Sequence, residues 1–271
     1  MMSTRPKGSV PALERAIAVL DALAASNDPL SLAALTARVG LPKSTVLGIC
    51  ATLVHGGLLA RRADGSYQLG VRIVDLAHAY LLKADVTSEF VASFDALPPM
   101  PEETVVLAVL DGLDVVYVAC RNGTHGLSLN YRIGMRLPAT CTASGKALLA
   151  TIPDETVADR YRGSLQSLTD FSITAMPRLL ADLVAAREHG YAVDREETRV
   201  GMCCIGAPVF DSSRRHAIAA VAISMVSAEF DSPKREEAIG RVRDLAAHLS
   251  NRLGAVGSAR GRVPVDPERV T

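Results

Sequence analysis

The 271-residue chain has no long apolar run. No stretch approaches the roughly 20 residues that a membrane-spanning helix needs, and the start, Met-Met-Ser-Thr-Arg-Pro-Lys-Gly, lacks the apolar segment of a secretory signal. A cytoplasmic protein is expected. Cysteine is scarce: five residues, an odd number at irregular spacing, fit reduced thiols rather than a disulfide framework. His55, His78, His125, His189, His216 and His248 are scattered without ligand spacing, and adjacent Cys203 and Cys204 cannot face one side of a strand. No metal and no cofactor is expected. Net charge is also absent, since 29 basic residues balance 29 acidic ones. Its distribution is uneven. Up to Arg72 eight basic residues face four acidic ones, so the front carries +4 and the rest −4. A basic front and an acidic rear suit a polyanion-binding module joined to a body that does not touch the polyanion.

The front is built of short helices. Ala12 to Ala25 reads as a helix with Leu13, Ile17, Leu20, Leu23 and Ala24 on its apolar face, broken by Asn27-Asp28-Pro29. Ser31 is a good N-cap for Leu32 to Val39, and Gly40 ends that helix. A third helix follows over residues 41–54, with Pro42 in its first turn. Val46, Ile49, Cys50, Leu53 and Val54 form its apolar stripe, which leaves Lys43, Ser44, Thr45, Leu47 and Gly48 mostly on the other side. One cation and two hydroxyls at a helix start suit phosphate oxygens and base edges. Two short helices joined by a glycine-containing turn make a helix-turn-helix. After Gly56-Gly57, Leu58 to Arg62 and Tyr67 to Leu69 read as strands around a tight Asp64-Gly65 hairpin. Residues 10–71 are thus a winged helix-turn-helix, with Arg61 and Arg62 beside the duplex backbone. Arg5 and Lys7 form a small basic arm in front of it.

Residues 72–97 read as a linker helix (Ile73, Leu76, Ala77, Tyr80, Leu81, Phe90, Phe94, Leu97) that ends at Pro98-Pro99-Met100-Pro101. Its apolar stripe exceeds what a solvated connector needs, so it predicts packing against a second copy and a homodimer. Residues 98–253 alternate strands (Thr104 to Leu110, Val115 to Ala119, Leu127 to Tyr131, Cys203 to Phe210, Ala217 to Met225) with helices (Ala143 to Ala150, Asp154 to Tyr161, Pro177 to His189, Pro233 to Leu253). Hairpins with segregated helices predict an α+β domain on an antiparallel sheet. Residues 254–271, rich in Gly, Pro and Arg, predict a disordered tail.

In this order the pattern resembles the IclR family of bacterial transcription regulators. The resemblance covers about residues 10 to 252 and rests on six segments. They are Leu13-Glu14-Arg15-Ala16-Ile17-Ala18-Val19-Leu20, Gly40-Leu41-Pro42-Lys43-Ser44-Thr45-Val46, Tyr67-Gln68-Leu69-Gly70, Ser144-Gly145-Lys146-Ala147-Leu148-Leu149-Ala150, Gly190-Tyr191-Ala192-Val193-Asp194-Arg195-Glu196-Glu197 and Ile205-Gly206-Ala207-Pro208-Val209-Phe210. It implies a winged helix, a linker helix and a GAF-like α/β domain that binds a small carboxylate or aromatic effector. It also implies a dimer or dimer of dimers, binding double-stranded operator DNA and commonly repressing a catabolic operon. The family's recognition helix usually has His-Arg after Ser-Thr-Val, where this chain has Leu47 and Gly48. Losing that arginine removes a contact worth roughly 1–3 kcal/mol if direct. Lys43, Ser44, Thr45, Arg61 and Arg62 are then expected to carry more of the binding, and the helix to read less sequence.

For the effector, Thr142, Ala143, Ser144 and Gly145 open a helix whose free N–H groups can hold a carboxylate. By resemblance, Asp194, Cys204 and Ser224 are polar contacts. Ala222 and Met225-Val226 stand where the family often has a serine and Gly-Pro, which predicts a more apolar pocket and an aromatic or larger ligand. Cys204 as a small buried hydrophobe, or Asp194 as a partner of Arg195 or Arg199, are the bland alternatives. Two other functions remain open at this point. One is a thiol-active enzyme using Cys141, Cys203 or Cys204 with His125 or His216 as base; the other is a DNA-binding adaptor without a small-molecule effector.

Overall fold

The computed structural model describes residues 10–83, 85–96, 102–124, 131–163, 165–213 and 215–255. Arg5, Lys7, most of the expected strand 127–131 and the tail from residue 256 lie outside them. Two compact units divide after Lys83.

The first unit runs α1 (Pro11–Ala24), α2 (Leu32–Val39), α3 (Lys43–His55), β1 (Leu59–Arg61), β2 (Tyr67–Leu69) and α4 (Arg72–Lys83). Ser31 caps α2 by accepting the Ala34 N–H at 3.2 Å, and Gly40 closes it at φ +66. Pro42 is the N-cap of α3, one position earlier than a first-turn residue. Val19 and Leu23 of α1, Leu35 of α2, and Val46, Cys50 and Leu53 of α3 close one core with Leu59 and Tyr67. The wing is hydrogen-bonded to the α1–α2 connection, where Leu30 and Tyr67 exchange both backbone bonds at 2.8 and 2.9 Å.

Two expectations change here. The buried face of α1 runs through Ala16, Val19, Leu20 and Leu23, while Leu13 and Ile17 are 62% and 57% exposed. Both stripes have helical spacing, and the inward one is set by where α2 and α3 cross. The wing's turn is also looser than a two-residue hairpin. Arg62 N–H bonds the Ser66 carbonyl and Gly65 N–H bonds the Arg62 carbonyl, with Gly65 at φ +81, so the loop has three residues and a left-handed glycine. Asp64 accepts Ser66 N–H at 2.9 Å and Ser66 Oγ–H at 2.6 Å across it.

The second unit begins with α5 (Asp85–Ala96), so 72–97 holds one helix on each side of residue 84. It continues with β3 (Thr104–Asp111), β4 (Asp114–Arg121), β5 (Arg136–Pro138), α6 (Ala143–Leu149), α7 (Asp154–Arg160), α8 (Met176–His189), β6 (Ala192–Arg195), β7 (Met202–Val209), β8 (Ala219–Val226), α9 (Ser227–Phe230) and α10 (Pro233–Arg252). Among the described residues the strands form one antiparallel sheet in the order β5-β4-β3-β8-β7-β6. Strand alternation divides the core. Val106, Ala108, Met202, Cys204, Ala220 and Ala222 face α6 and α8, and the intervening residues of β7 and β8 face α10. Both faces are covered, so β7 and β8 are buried almost end to end.

Tyr131 is described outside any strand, and β5, β6 and α9 are additional to the expected elements. Gly254 and Ala255 depart from the expected disordered tail. Ala255 is buried and its N–H bonds the Ser250 carbonyl at 2.9 Å. Among the described residues no single helix is long and apolar enough to cross a membrane.

Candidate functional site

Two regions collect the expected residues. On α3, Lys43, Ser44 and Leu47 are exposed, Thr45 is half-buried, and Gly48, Ala51, Thr52 and His55 extend the same outer face. On the wing, Arg61 and Arg62 are exposed. The Arg61 guanidinium lies 5.8 Å from the Tyr67 ring centre, and Arg62 donates to Gln68 Oε1 at 3.1 Å.

In the second unit the sheet register does the gathering. Asp194 of β6 pairs with Cys204 of β7, which pairs with Ser224 of β8, so three residues far apart in sequence lie side by side. The start of α6 covers them. Thr142 caps it, its Oγ1 accepting the Gly145 N–H at 3.0 Å. A Cβ on Gly206 of β7 would lie 2.6 Å from the Ala143 backbone, so only glycine admits this approach. Thr142, Ala143, Ser144, Asp194, Cys204 and Ser224 thereby line one cavity, while Gly145 lies behind it, against the Ala139 backbone.

Four further residues line this cavity that sequence reasoning missed: Val106, Tyr117, Tyr131 and Thr198. Tyr117 and Tyr131 meet edge to face with centres 5.1 Å apart. Ser224 Oγ–H donates to the Tyr131 hydroxyl at 3.1 Å, and the Cys204 thiol donates to Ser224 Oγ at 3.4 Å. Burial, with the neighbouring Cys204, raises both phenols and keeps them protonated. The two hydroxyls make this pocket more polar than Ala222 and Met225 suggested. Ala222 does line it, but Met225 pairs with Cys203 on the face toward α10. Tyr117 is legible as an inward position of β4; Tyr131 comes from a loop and carries no local signal.

Asp194 is the most constrained group. It is 1% exposed. Its Oδ1 accepts the N–H groups of Glu197 at 2.7 Å and Thr198 at 3.3 Å, whereas Oδ2 has no partner among the described residues. Burial raises its carboxyl above the ordinary value, against these bonds and the Lys146 charge. The turn that holds it contains Glu196 at φ +60, a left-handed non-glycine residue. Neither Arg195 nor Arg199 is its partner. Arg195 stacks on Phe230 at 4.7 Å and lies 3.6 Å from Asp231. The enclosed space is only about 10 Å³, roughly one water-sized sphere. A larger cleft of about 460 Å³, lined by Phe171, Arg178, Asp182, Tyr191, Arg195 and Arg235 among others, contains none of the expected effector residues.

Lys146 connects the segments 144–150 and 190–197. It is 1% exposed and donates to Glu197 at 2.5 Å and to Asp182 of α8 at 2.9 Å. Burial alone would lower its ammonium, but the two carboxylates outweigh it and hold it above the ordinary lysine value. Cys141, Cys203 and Cys204 are buried, and burial raises each thiol, the opposite of what a nucleophile needs. His216 Nδ1 lies 2.9 Å from the Thr151 carbonyl, and His125 lies outside the described residues.

The sequence and the architecture agree with known proteins over most of the chain. Residues 12–63 match the IclR helix-turn-helix domain, and residues 78–251 match the bacterial transcriptional regulator IclR C-terminal domain. The chain belongs to the IclR family. It is 30% identical over 245 residues to the HTH-type transcriptional repressor AllR of Escherichia coli, covering 90% of each chain. Among solved structures, the IclR protein of Thermotoga maritima aligns with a TM-score of 0.74 and 27% identity over 89% of this chain and 98% of that one. An IclR homologue of Microbacterium hydrocarbonoxydans, complexed with 4-hydroxybenzoate, shares the fold with a TM-score of 0.80 at 22% identity over 90% and 99%. This IclR-family chain is therefore a DNA-binding transcription regulator with a C-terminal effector-binding domain, and its relatives are regulators rather than enzymes.

Proposed function

We propose that this regulator is a cytoplasmic homodimer, or dimer of dimers, that releases or tightens operator DNA when a hydroxylated carboxylic acid enters the Asp194 cavity. The first unit meets the duplex through Lys43, Ser44, Thr45 and Leu47 of α3 and through Arg61 and Arg62 of the wing, with Arg5 and Lys7 as an added arm. The reading of the effector is carried by Asp194 Oδ2, a buried carboxyl oxygen at the cavity with no partner among the described residues. Such a group is costly until something bonds it. A ligand hydroxyl donates to it, while the hydroxyls of Tyr117 and Tyr131 are at hand to donate to a ligand carboxylate. A hydroxybenzoate has both ends and a ring for the tyrosines to flank, and one fold neighbour is complexed with 4-hydroxybenzoate.

The cavity is too small for such a molecule as it stands. Binding therefore requires the lining to move, and it favours a different arrangement of the domain from the one without ligand. Residues 72–97 carry that change to the paired DNA heads. Coupling of about 1–3 kcal/mol corresponds to a 5- to 150-fold change in operator affinity.

A gel-shift series tests this, using the intergenic DNA beside the protein's own gene with and without a panel of hydroxy acids and hydroxybenzoates. One acid is expected to change the affinity within that range. Asp194→Asn is expected to bind DNA as the parent does and to lose the response. If no acid alters DNA affinity, the reading gives way to a DNA-binding adaptor. An undiminished response in Asp194→Asn would remove Asp194 from the site.

A further inference from the structure

The outer face of α3 is unusual in what it offers a base pair. Leu47 is 46% exposed and Ala51 is exposed on the next turn, four residues on. Between them Gly48 is open, with no atom within 4 Å of a Cβ built there. Thr52 spends its hydroxyl on the Gly48 carbonyl at 3.0 Å, which leaves its methyl as the free end. Between Leu47 and Thr52 this face has no guanidinium, amide or carboxylate, and so none of the side chains that pair with guanine, adenine or cytosine edges. Cations and hydroxyls sit at its border, at Lys43, Ser44 and the wing arginines.

We infer that α3 reads thymine methyl groups. Apolar side chains distinguish thymine in the major groove by contact with its C5-methyl, without a hydrogen bond. Leu47 and Ala51 lie one above the other along the groove face, and Gly48 between them lets the helix backbone come close enough for these short side chains to reach. The helix does not simply read less sequence for want of an arginine. It reads A·T pairs by burying methyls, while Lys43, Arg61 and Arg62 hold the phosphates without regard to sequence. The inference rests on α3 being the groove-entering helix, and it names the base that this helix selects.

The full chain is used to select from a library of duplexes with a random central region, and the winners are measured by gel shift. Thymine is expected to dominate at the positions under Leu47 and Ala51, with no invariant guanine contacted by α3. Replacing each selected thymine by deoxyuridine removes only the methyl. At one or two positions this should weaken binding roughly four-fold per methyl, the factor for losing one buried carbon. Leu47→Ala should no longer sense the replacement at its own thymine, and Leu47→Arg should select guanine there. If duplexes are retained but deoxyuridine changes nothing, or if guanine is fixed under Leu47, the methyl inference alone is overturned. If no duplex is retained at all, DNA reading by α3 falls with it.

Discussion

Glu197 shows how one side chain ties the pocket to the fold. Its backbone N–H holds Asp194, and its carboxylate accepts from buried Lys146. Oε2 has no partner among the described residues. Burial pushes its carboxyl up to about 7, even against the Lys146 ammonium, because the desolvation of a 4% exposed carboxylate exceeds the attraction of a lysine already shared with Asp182. A carboxyl whose folded value lies above its unfolded value of 4.5 favours the folded state while it is protonated. That stability is complete below pH 4.5 and is lost as the pH rises through about 7. Asp194 is shifted in the same direction and adds to the loss. The melting temperature is expected to fall by several degrees between pH 5 and pH 8, and Glu197→Gln, which cannot ionise, should fall less. Parallel profiles for the two proteins, by scanning calorimetry, would show that Glu197 stays ionised throughout.

At the scale of elements, α6 is held where its start meets the sheet and the preceding loop. A Cβ on Gly145 would stand 2.1 Å from the Ala139 carbonyl oxygen and 2.4 Å from its Cα, all backbone that cannot turn away. Gly145→Ala is expected to cost at least about 1–3 kcal/mol, as overpacking in a closed interior does. It should also weaken effector binding more than DNA binding, since α6 carries Thr142, Ala143 and Ser144. Chemical denaturation and gel shift measure the two; equal stability to the parent would mean that the loop yields. The sequence made such elements legible where local chemistry specifies them. Ser31, Gly40 and Gly190 mark helix ends by capping, and β7 and β8 read as continuous apolar runs because both faces are covered. Strands β5 and β6 have three and four residues, too short for a period to show. Asp194, Cys204 and Ser224 are legible only through family resemblance, because their adjacency lies in the register of three strands. Tyr131 enters the same cavity from a loop, where no pattern announces it. Lys146 stands alone in an apolar helix, a signal that becomes readable only once Glu197 is beside it.

For the molecule as a whole, the outer face of α1 is informative. Leu13 and Ile17 have the spacing of a core stripe, and the core of their own unit does not take them. Val10, Leu13 and Ile17 leave a row of large apolar side chains 53–62% exposed on one helix, and Val71 and Val74 beside and within α4 are 77% and 64% exposed. Exposed apolar rows of this kind mark an interaction site. Two identical copies can cover it reciprocally about a two-fold axis, which also sets two α3 helices at the fixed separation that a palindromic operator demands. Ile17→Asp is therefore expected to leave the fold intact, because Ile17 lies outside the core of its own unit, yet to lower operator affinity by at least about ten-fold as the two heads lose their mutual register. Circular dichroism and gel shift on a full operator and on a single half-site separate the effects. The full site should lose most and the half-site little. Equal losses on both would place Ile17 at the DNA, and no loss on either would mean that another surface holds the dimer. The requirement is geometric: a head that reads a few methyls gains little alone, and its discrimination multiplies only when a second head is held one helical turn away.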